Sequence, residues 1–174
     1  MPITQFSSFN DGLEPGHRGH GNFIANVELD NDRKWIPYAE GVWLQPCSFD
    51  LSAGALSLVL KGLPGASLGI HYHVGQVYGF TLNGNWRYLE HDWIAGPGTF
   101  VFEPAGEAHS LVVTEDSPEP AVIFFMISGA LLYLDKPEKG TFAAYEDAFS
   151  ALEFFRAGYR EAGLDPAELD RLIR

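Results

Sequence analysis

The chain has 174 residues, of which 46% are hydrophobic and 14% aromatic, enough to bury the core of a single domain. Its formal net charge of −12 argues against a nucleic-acid or anionic-membrane partner, because both bind clustered Lys and Arg. A single cysteine, Cys47, cannot form an intramolecular disulfide. Neither a secretory leader nor a membrane-spanning run is indicated, so we expect a cytoplasmic protein.

Residues 1–22 are rich in Gly, Ser, Asn, Asp and His and have little hydrophobic periodicity. This composition predicts an irregular N-terminal arm. His17 and His20 lie in the arm, and we interpret them as loop residues because no second cluster of ligands supports a metal site there.

Residues 23–140 contain short apolar runs separated by turn signals at the spacing of an all-β sandwich or barrel. The pair Asn83-Gly84 is a strong signal for a hairpin turn. The predicted strands are 42–45, 56–62, 67–73, 77–83, 85–90, 99–103, 108–113, 122–128 and 130–135.

Residues 141–174 have a different pattern, which predicts a helical extension of the same domain. Apolar side chains recur at helical spacing from Tyr145 to Tyr159, and Gly163 can end this helix. Asp165 followed by Pro166 then has the form of an N-cap and a first-turn proline, which predicts a second, short helix.

Three histidines form the candidate metal site. His71 and His73 are one residue apart, so in a strand both side chains point to the same face, with Cα atoms about 7 Å apart. His109 offers a third imidazole after the turn signal at Pro104. The alternative interpretation is that these rings pack or hydrogen-bond inside a barrel that holds no metal.

Two groups of residues resemble the two sequence motifs of the cupin superfamily, over roughly residues 40–135. The matching positions are Gly65, His71, His73 and Gly84 for the first motif, and Gly98, Pro104, Gly106 and His109 for the second. This resemblance implies an all-β fold with one cupin barrel, a double-stranded β-helix or jelly roll, to which C-terminal helices are added.

One feature departs from the cupin pattern, since Val77 and Tyr78 stand where a ligand glutamate is usual. The predicted site therefore has three neutral imidazoles, which leave the charge of a divalent ion uncompensated and favour an anionic chelating substrate. Three ligands on a six-coordinate ion leave three positions, enough for a bidentate oxygen ligand and dioxygen.

A closer resemblance, to the 2,4'-dihydroxyacetophenone dioxygenase family of cupins, is carried by residues 71–93, 102–113 and 129–135. It implies a non-haem Fe(II) enzyme that cleaves the bond between a ketone carbon and its hydroxylated neighbour with dioxygen, giving two carboxylic acids. The predicted substrate is a small aromatic α-hydroxyketone or a β-diketone. Cupins often pair through edge strands and N-terminal arms, so we expect a homodimer or a homotetramer.

Glu103 is the candidate catalytic residue. It lies six residues before His109, an offset at which the more distant acetylacetone dioxygenases also have a glutamate. We expect Glu103 either to orient a ligand histidine through its other ring N–H or to accept a substrate proton, with a solvent-facing acid as the alternative.

Four aromatic residues are predicted to form the wall of the substrate pocket, with packing in the barrel core as the alternative for each. They are Tyr78, Phe80, Trp86 and Tyr88.

Two other functions would use the same three histidines. A zinc-binding cupin sensor or anti-sigma-type module would bind Zn(II), consume no oxygen and depend on a protein partner. A metal-dependent isomerase or hydrolase would turn over without oxygen.

Overall fold

The computed structural model describes residues 24–136 and 139–174, so the predicted arm at residues 1–22 lies outside the described residues. Within these ranges, twelve β-strands are followed by one α-helix and a 3₁₀ helix. The strands are β1 (Ile36–Ala39), β2 (Val42–Asp50), β3 (Ala55–Gly62), β4 (His71–His73), β5 (Val77–Asn83), β6 (Trp86–Tyr88), β7 (Phe100–Glu103), β8 (Ala108–His109), β9 (Leu111–Val113), β10 (Ala121–Ser128), β11 (Ala130–Lys136) and β12 (Thr141–Asp147). The helices are a 3₁₀ turn at Asp32–Lys34, α1 (Ala148–Glu161) and a C-terminal 3₁₀ helix, Pro166–Leu172.

The strands form antiparallel sheets. The largest has the order β1-β2-β3-β10-β5-β7, the second has the order β12-β11-β4-β8, and β6 pairs with β9. Side chains from all three sheets meet in one apolar core. Strands that are distant in the sequence pair with one another, and this pairing places β4 and β8, which carry the three histidines, side by side.

Strand alternation decides which side chains enter the core. Along β10, Ala121, Ile123, Phe125 and Ile127 are buried, whereas the residues between them are partly or fully exposed. This two-residue period is that of a strand with one face on the core. Burying an aliphatic side chain such as Ile123 stabilises the fold by roughly 1.5–3 kcal/mol.

Gly75 permits two backbone segments, its own and that of Ser128, to lie in close contact next to the histidines. It lies in the connection between β4 and β5, where a Cβ atom would stand 2.2 Å from the carbonyl oxygen of Ser128. Only a residue without a side chain fits against that backbone. The connection fixes the end of the strand that carries His73.

The predicted helical start of residues 141–147 is wrong, because these residues form β12, which is antiparallel to β11. Tyr145 stands at helical spacing from later apolar residues, but the run around it is also suited to pairing with the open edge of β11. Asp147 ends the strand and caps α1, because its side chain accepts hydrogen bonds from the backbone N–H groups of Phe149 and Ser150.

The remainder of the C-terminal prediction is confirmed. Helix α1 buries Leu152, Phe155 and Tyr159 against the sheets. Asp165 caps the segment that follows, accepting a hydrogen bond from the backbone N–H of Ala167, although this segment is a 3₁₀ helix. No helix in the described part of the chain is long and apolar enough to cross a membrane.

Candidate metal centre

Strand pairing brings the three predicted histidines together. His71 and His73 point to the same side of β4, and β8 places His109 directly opposite His71. All three are buried, with exposed fractions of 3%, 3% and 0%. One nitrogen of each lies within 4.8 Å of one nitrogen of each of the others.

Burial favours the neutral state of His71 and His73, which is the state that a metal ion requires of a histidine ligand. Burial lowers the pKa of His71, and it lowers the pKa of His73 to about 4. Nδ1 of His71 lies 2.9 Å from the carbonyl oxygen of Gly69, so Nδ1 carries the proton and donates it. This leaves the Nε2 lone pair of His71 for a ligand.

The spacing of the other two rings also suits one ion. Nε2 of His73 lies 3.0 Å from Nε2 of His109. Two nitrogen ligands at about 2.1 Å from one ion, at roughly a right angle, are themselves about 3 Å apart. The Nδ1 atoms of both rings have no hydrogen-bond partner among the described residues, so the Nε2 contacts are the polar contacts of these rings.

Glu103 places a carboxylate beside the Nε2 atoms of His73 and His109. Its Oε2 atom lies 3.2 Å from Nε2 of His73 and 3.3 Å from Nε2 of His109, and its side chain is 2% exposed. Alternation along β7 turns Glu103 inward while Phe100 and Phe102 face out. Glu103 therefore contacts the Nε2 atoms of His73 and His109 and not their Nδ1 atoms. A role in orienting a ligand histidine through its Nδ1–H does not fit these contacts. A role as the acceptor of a substrate proton does fit them.

The charge state of Glu103 is set by two opposing effects. Burial raises its pKa, but the neighbouring His109 ring and the Tyr88 hydroxyl outweigh burial and hold the pKa below its ordinary value. Glu103 is therefore a carboxylate. The nearest polar atoms to Oε2 of Glu103 are Nε2 of His73 and Nε2 of His109, and Oε2 makes no well-directed hydrogen bond with the described residues. A buried carboxylate oxygen without a well-directed donor, beside three imidazoles, fits a bound cation.

Tyr88 holds Glu103 from the other side. Its hydroxyl donates to Oε1 of Glu103, and its ring stacks on His109 with centroids 3.6 Å apart and planes at 7°. Burial and the Glu103 charge raise the pKa of Tyr88 well above its ordinary value, so the hydroxyl stays protonated. Of the four predicted pocket aromatics, Tyr88 lines the cavity beside the histidines.

The other three predicted pocket residues lie elsewhere. Trp86 is buried in the core, where its Nε1–H donates to Oγ1 of Thr81 at 2.8 Å. Tyr78 and Phe80 alternate outward on β5 and lie with Phe100 on the outer surface of the large sheet. Strand parity explains this, because Val77 and Gly79 occupy the inward positions of β5.

His71 and His73 line a cavity inside the barrel, together with Glu103 and Tyr88. Half of the residues that line it are aliphatic, and no Lys or Arg is among the described residues of its wall. The aliphatic wall residues are Leu44, Leu58, Leu60, Leu68, Val77, Leu111, Ile127 and Leu131.

Three polar residues of the cavity were not predicted. Tyr38, Tyr133 and Glu146 line it together, joined by hydrogen bonds of the Tyr38 hydroxyl to the Tyr133 hydroxyl and to Oε2 of Glu146. Burial raises the pKa of Glu146. They come from β1, β11 and β12, and the sequence has no motif that links such distant positions.

A fourth histidine, His91, and the cysteine, Cys47, lie outside this group of residues. His91 pairs with Glu107, with Nε2 2.7 Å from Oε1, and is 37% exposed. Cys47 is buried, and burial raises the pKa of its thiol to about 11, which keeps it a thiol at neutral pH. Cys47 has the environment of a small apolar side chain.

Residues 26–132 match the family model described as the ChrR cupin-like domain. The chain belongs to the ChrR cupin-like domain family. This match covers more than half of the sequence and confirms the predicted cupin fold. No curated protein sequence matches this cupin-like domain.

Solved structures show the same fold. An RmlC-like cupin protein from Ralstonia eutropha JMP134 is 28% identical, with a TM-score of 0.73 over 83% of this chain and 92% of that one. A cupin-like protein of unknown function from the same organism is 26% identical, with a TM-score of 0.66 over 71% and 75% of the two chains. An acetylacetone dioxygenase from Acinetobacter johnsonii is 17% identical, with a TM-score of 0.68 over 80% and 95%.

Proposed function

We propose that this cupin-like domain is an Fe(II)-dependent dioxygenase that cleaves a carbon–carbon bond of a small α-hydroxyketone or β-diketone. The observation that carries the proposal is the convergence of three buried imidazoles and one buried carboxylate oxygen beside a largely apolar cavity. His71, His73 and His109 would hold the ion. Bound there, Fe(II) would supply Lewis acidity toward the substrate oxygens and redox chemistry with dioxygen.

Glu103 is the base in this proposal. An α-hydroxyketone or a β-diketone must lose a proton to become an electron-rich chelator, and Oε2 of Glu103 is a buried acceptor that has no hydrogen-bond donor. The Tyr88 hydroxyl holds Oε1 and so directs Oε2 toward the histidines. The carboxyl group that forms would keep the proton inside the cavity until it is returned to a product oxygen.

The cavity wall supports chemistry that must exclude water. Leu58, Leu60 and Ile127 present aliphatic surface from the large sheet, and Leu131 does so from the opposite sheet. Such a wall favours an uncharged organic substrate and strengthens the electrostatic interactions of Glu103 with it.

The choice of reaction draws on family resemblance. Residues 71–93 and 102–113 resemble the 2,4'-dihydroxyacetophenone dioxygenases, and membership of that family is part of this proposal. The acetylacetone dioxygenase from Acinetobacter johnsonii is named for a β-diketone substrate, but at 17% identity it shows a shared fold only. The substrate class therefore depends on the site and on the motif resemblance.

The test is oxygen consumption by the full chain loaded anaerobically with Fe(II). We expect uptake of dioxygen with an α-hydroxyketone or a β-diketone, and two carboxylic acids, or an acid and a dicarbonyl, among the products. His109→Ala should abolish uptake, whereas His91→Ala, a histidine outside the cavity, should not.

Three outcomes would contradict the proposal. Tight Zn(II) binding with no oxygen uptake by the Fe(II)-loaded protein would favour a zinc sensor or anti-sigma-type module. Conversion of the ketone at the same rate under nitrogen would favour an isomerase or a hydrolase. Absence of bound metal from protein with all three histidines intact would remove the metal centre itself.

A further inference from the structure

The strand that carries His109 gives this histidine little support of its own. β8 consists of Ala108 and His109 and lies at the edge of its four-stranded sheet, where β4 is its neighbour. The Nδ1 atom of His109 has no hydrogen-bond partner among the described residues, whereas that of His71 contacts the carbonyl oxygen of Gly69. A metal-binding histidine is normally held by a hydrogen bond through its second ring nitrogen, so other contacts must position His109.

Ser110 follows His109 at the point where the chain passes from one sheet to another. β8 pairs with β4 in the four-stranded sheet, and β9, which begins at Leu111, pairs with β6 in the two-stranded sheet. Ser110 belongs to neither strand. Its backbone N–H and C=O groups therefore need partners outside these two strand pairs.

The end of β6 and the residues after it supply these partners. The carboxylate of Glu90 accepts two hydrogen bonds from Ser110, one from the backbone N–H at 2.9 Å and one from the Oγ hydroxyl at 3.0 Å. The backbone N–H of Leu89 donates to the carbonyl oxygen of Ser110 at 3.0 Å. The ring of Tyr88 stacks on the ring of His109. One short segment thus contacts both the ring of His109 and the backbone next to it.

The contact between Glu90 and Ser110 restricts geometry more than it stabilises the fold. Both carboxylate oxygens bind the same residue, and a two-point contact of this kind fixes direction as well as distance. Glu90 is exposed, so water competes for the same donors and the net gain in folding stability is small. The consequence of this contact therefore falls on the position of the neighbouring His109.

We propose that Glu90 is a positioning residue for the metal ligand His109. By holding Ser110, Glu90 keeps the His109 ring where its Nε2 atom lies 3.0 Å from Nε2 of His73. This inference rests on the metal centre of the proposed function and adds to it a residue outside the cavity. Residues that orient a metal ligand without touching the ion typically change metal affinity by about 10- to 100-fold when they are replaced.

The metal affinity of the full chain tests this role without turnover. Zn(II) is titrated into the metal-free wild type, Glu90→Ala and Glu90→Gln in competition with a chromogenic chelator. We expect the Kd for Zn(II) to rise by at least about 10-fold in Glu90→Ala, which loses both contacts to Ser110. Glu90→Gln keeps one acceptor oxygen, so its Kd should lie between those of the wild type and Glu90→Ala.

The visible absorption of bound Co(II) reports the geometry of the same site. The absorption depends on the number and arrangement of the ligands, so a displaced His109 should change the spectrum of Co(II)-loaded Glu90→Ala in position or intensity. Glu90→Gln should give a spectrum closer to that of the wild type. Identical spectra of the wild type and Glu90→Ala would overturn the proposal.

Asp92→Asn is the matched control for the loss of a charge. Asp92 is an exposed acid two residues beyond Glu90, and its side chain makes no hydrogen bond within the described part of the chain. This variant should bind Zn(II) as tightly as the wild type. An equal loss of affinity in Asp92→Asn and Glu90→Gln would attribute the effect to charge and overturn the positioning role.

Urea unfolding of the metal-free variants separates positioning from folding. If Glu90 only held the loop, Glu90→Ala would lower the free energy of unfolding and leave the Kd of the folded protein unchanged, which would overturn this inference alone. A higher Kd in Glu90→Ala would support it even if the Fe(II)-loaded protein consumes no oxygen. Failure of the wild-type chain to bind Zn(II) or Co(II) would overturn it together with the metal centre.

Discussion

Oε2 of Glu103 lies 3.2 Å from Nε2 of His73, in a contact that joins the end of β7 to β4. The first cupin motif of this chain lacks its usual glutamate, and Val77 stands near that position. Val77 pairs with Glu103 across β5 and β7. The carboxylate near the histidines thus comes from Glu103 on β7, directly across from Val77 on β5, where the cupin motif usually has a glutamate.

Glu103→Gln tests the role of this carboxylate. The substitution keeps the shape of the side chain and removes its basicity, so we expect kcat to fall by about 100-fold or more while KM changes little. Steady-state oxygen uptake measures both constants. Metal content, determined on the same sample, is the control for a ligand role. A variant with full metal and wild-type kcat would show that Glu103 is not the base.

Tyr88→Phe tests how Glu103 is held. The variant keeps the ring that stacks on His109 and removes the donor to Oε1 of Glu103. Because a hydrogen bond to the carboxylate favours its charged form, losing it should raise the pKa of Glu103. The acidic limb of the kcat profile should therefore move to higher pH. A profile that coincides with the wild-type curve would contradict this link.

Each of His71→Ala, His73→Ala and His109→Ala should prevent stoichiometric metal binding. Removing one of three imidazoles eliminates a ligand and leaves a gap that the apolar wall does not fill. Elemental analysis of protein purified after addition of Fe(II) or Zn(II) measures the loss, with His91→Ala as the control. Full occupancy in all three variants would place the ion elsewhere.

The sequence predicted the three-histidine site because each histidine is marked by a local pattern or by a known motif. The two-residue period of a strand sets His71 beside His73, and the second motif adds His109. Tyr38, Tyr133 and Glu146, which also line the cavity, have no such signal. Tyr38 lies on a short strand containing Pro37, and Glu146 lies on a strand whose pattern resembles the start of a helix. Only pairing between sequence-distant strands brings them to the cavity.

The same limit applies to the pocket wall. Aromatic residues are common in the predicted strands, but the parity of each strand decides whether they face the cavity or the outer surface. Phe80 is 42% exposed because the buried positions of β5 are those of Val77, Gly79 and Thr81, and Phe80 alternates with them. A register of this kind depends on the partner strands, which the sequence pattern of one strand does not specify.

The stability of the metal-free protein should depend on pH through the buried histidines. Burial lowers the pKa of His73 to about 4, from an ordinary value of 6.5, and also lowers that of His71. Between these values the unfolded chain binds more protons than the folded protein, so the free energy of unfolding should decrease as the pH falls. His73 alone accounts for a loss on the order of 3 kcal/mol by pH 4.

Urea unfolding of the metal-free protein at pH 7.0, 5.5 and 4.5 measures this dependence. The contribution is constant above about pH 7.5, where the ring is almost fully neutral in both states. His73→Gln should flatten the slope between pH 6.5 and 4.5, because glutamine does not titrate. An unfolding free energy that is equal at pH 7.0 and 4.5 in the wild-type protein would contradict the burial argument.

Gly158→Ala tests the packing of α1 on the sheet. Alanine in place of glycine normally stabilises a helix by about 1 kcal/mol. At this position a Cβ atom would stand 2.3 Å from Cγ2 of Ile36, which is itself 2% exposed. Overpacking of this kind costs about 1–3 kcal/mol, so the net effect should be a loss of stability.

Thermal unfolding of the Gly158→Ala variant, followed by circular dichroism, measures that loss. Gly158→Ala combined with Ile36→Ala gives the critical comparison, since removing the Ile36 side chain clears the space for the new methyl group. The double variant should be at least as stable as Ile36→Ala alone, because the helix then gains the propensity of alanine without the clash. If Gly158→Ala alone raises the unfolding temperature, then α1 is packed less tightly against β1 than the 2.3 Å separation requires.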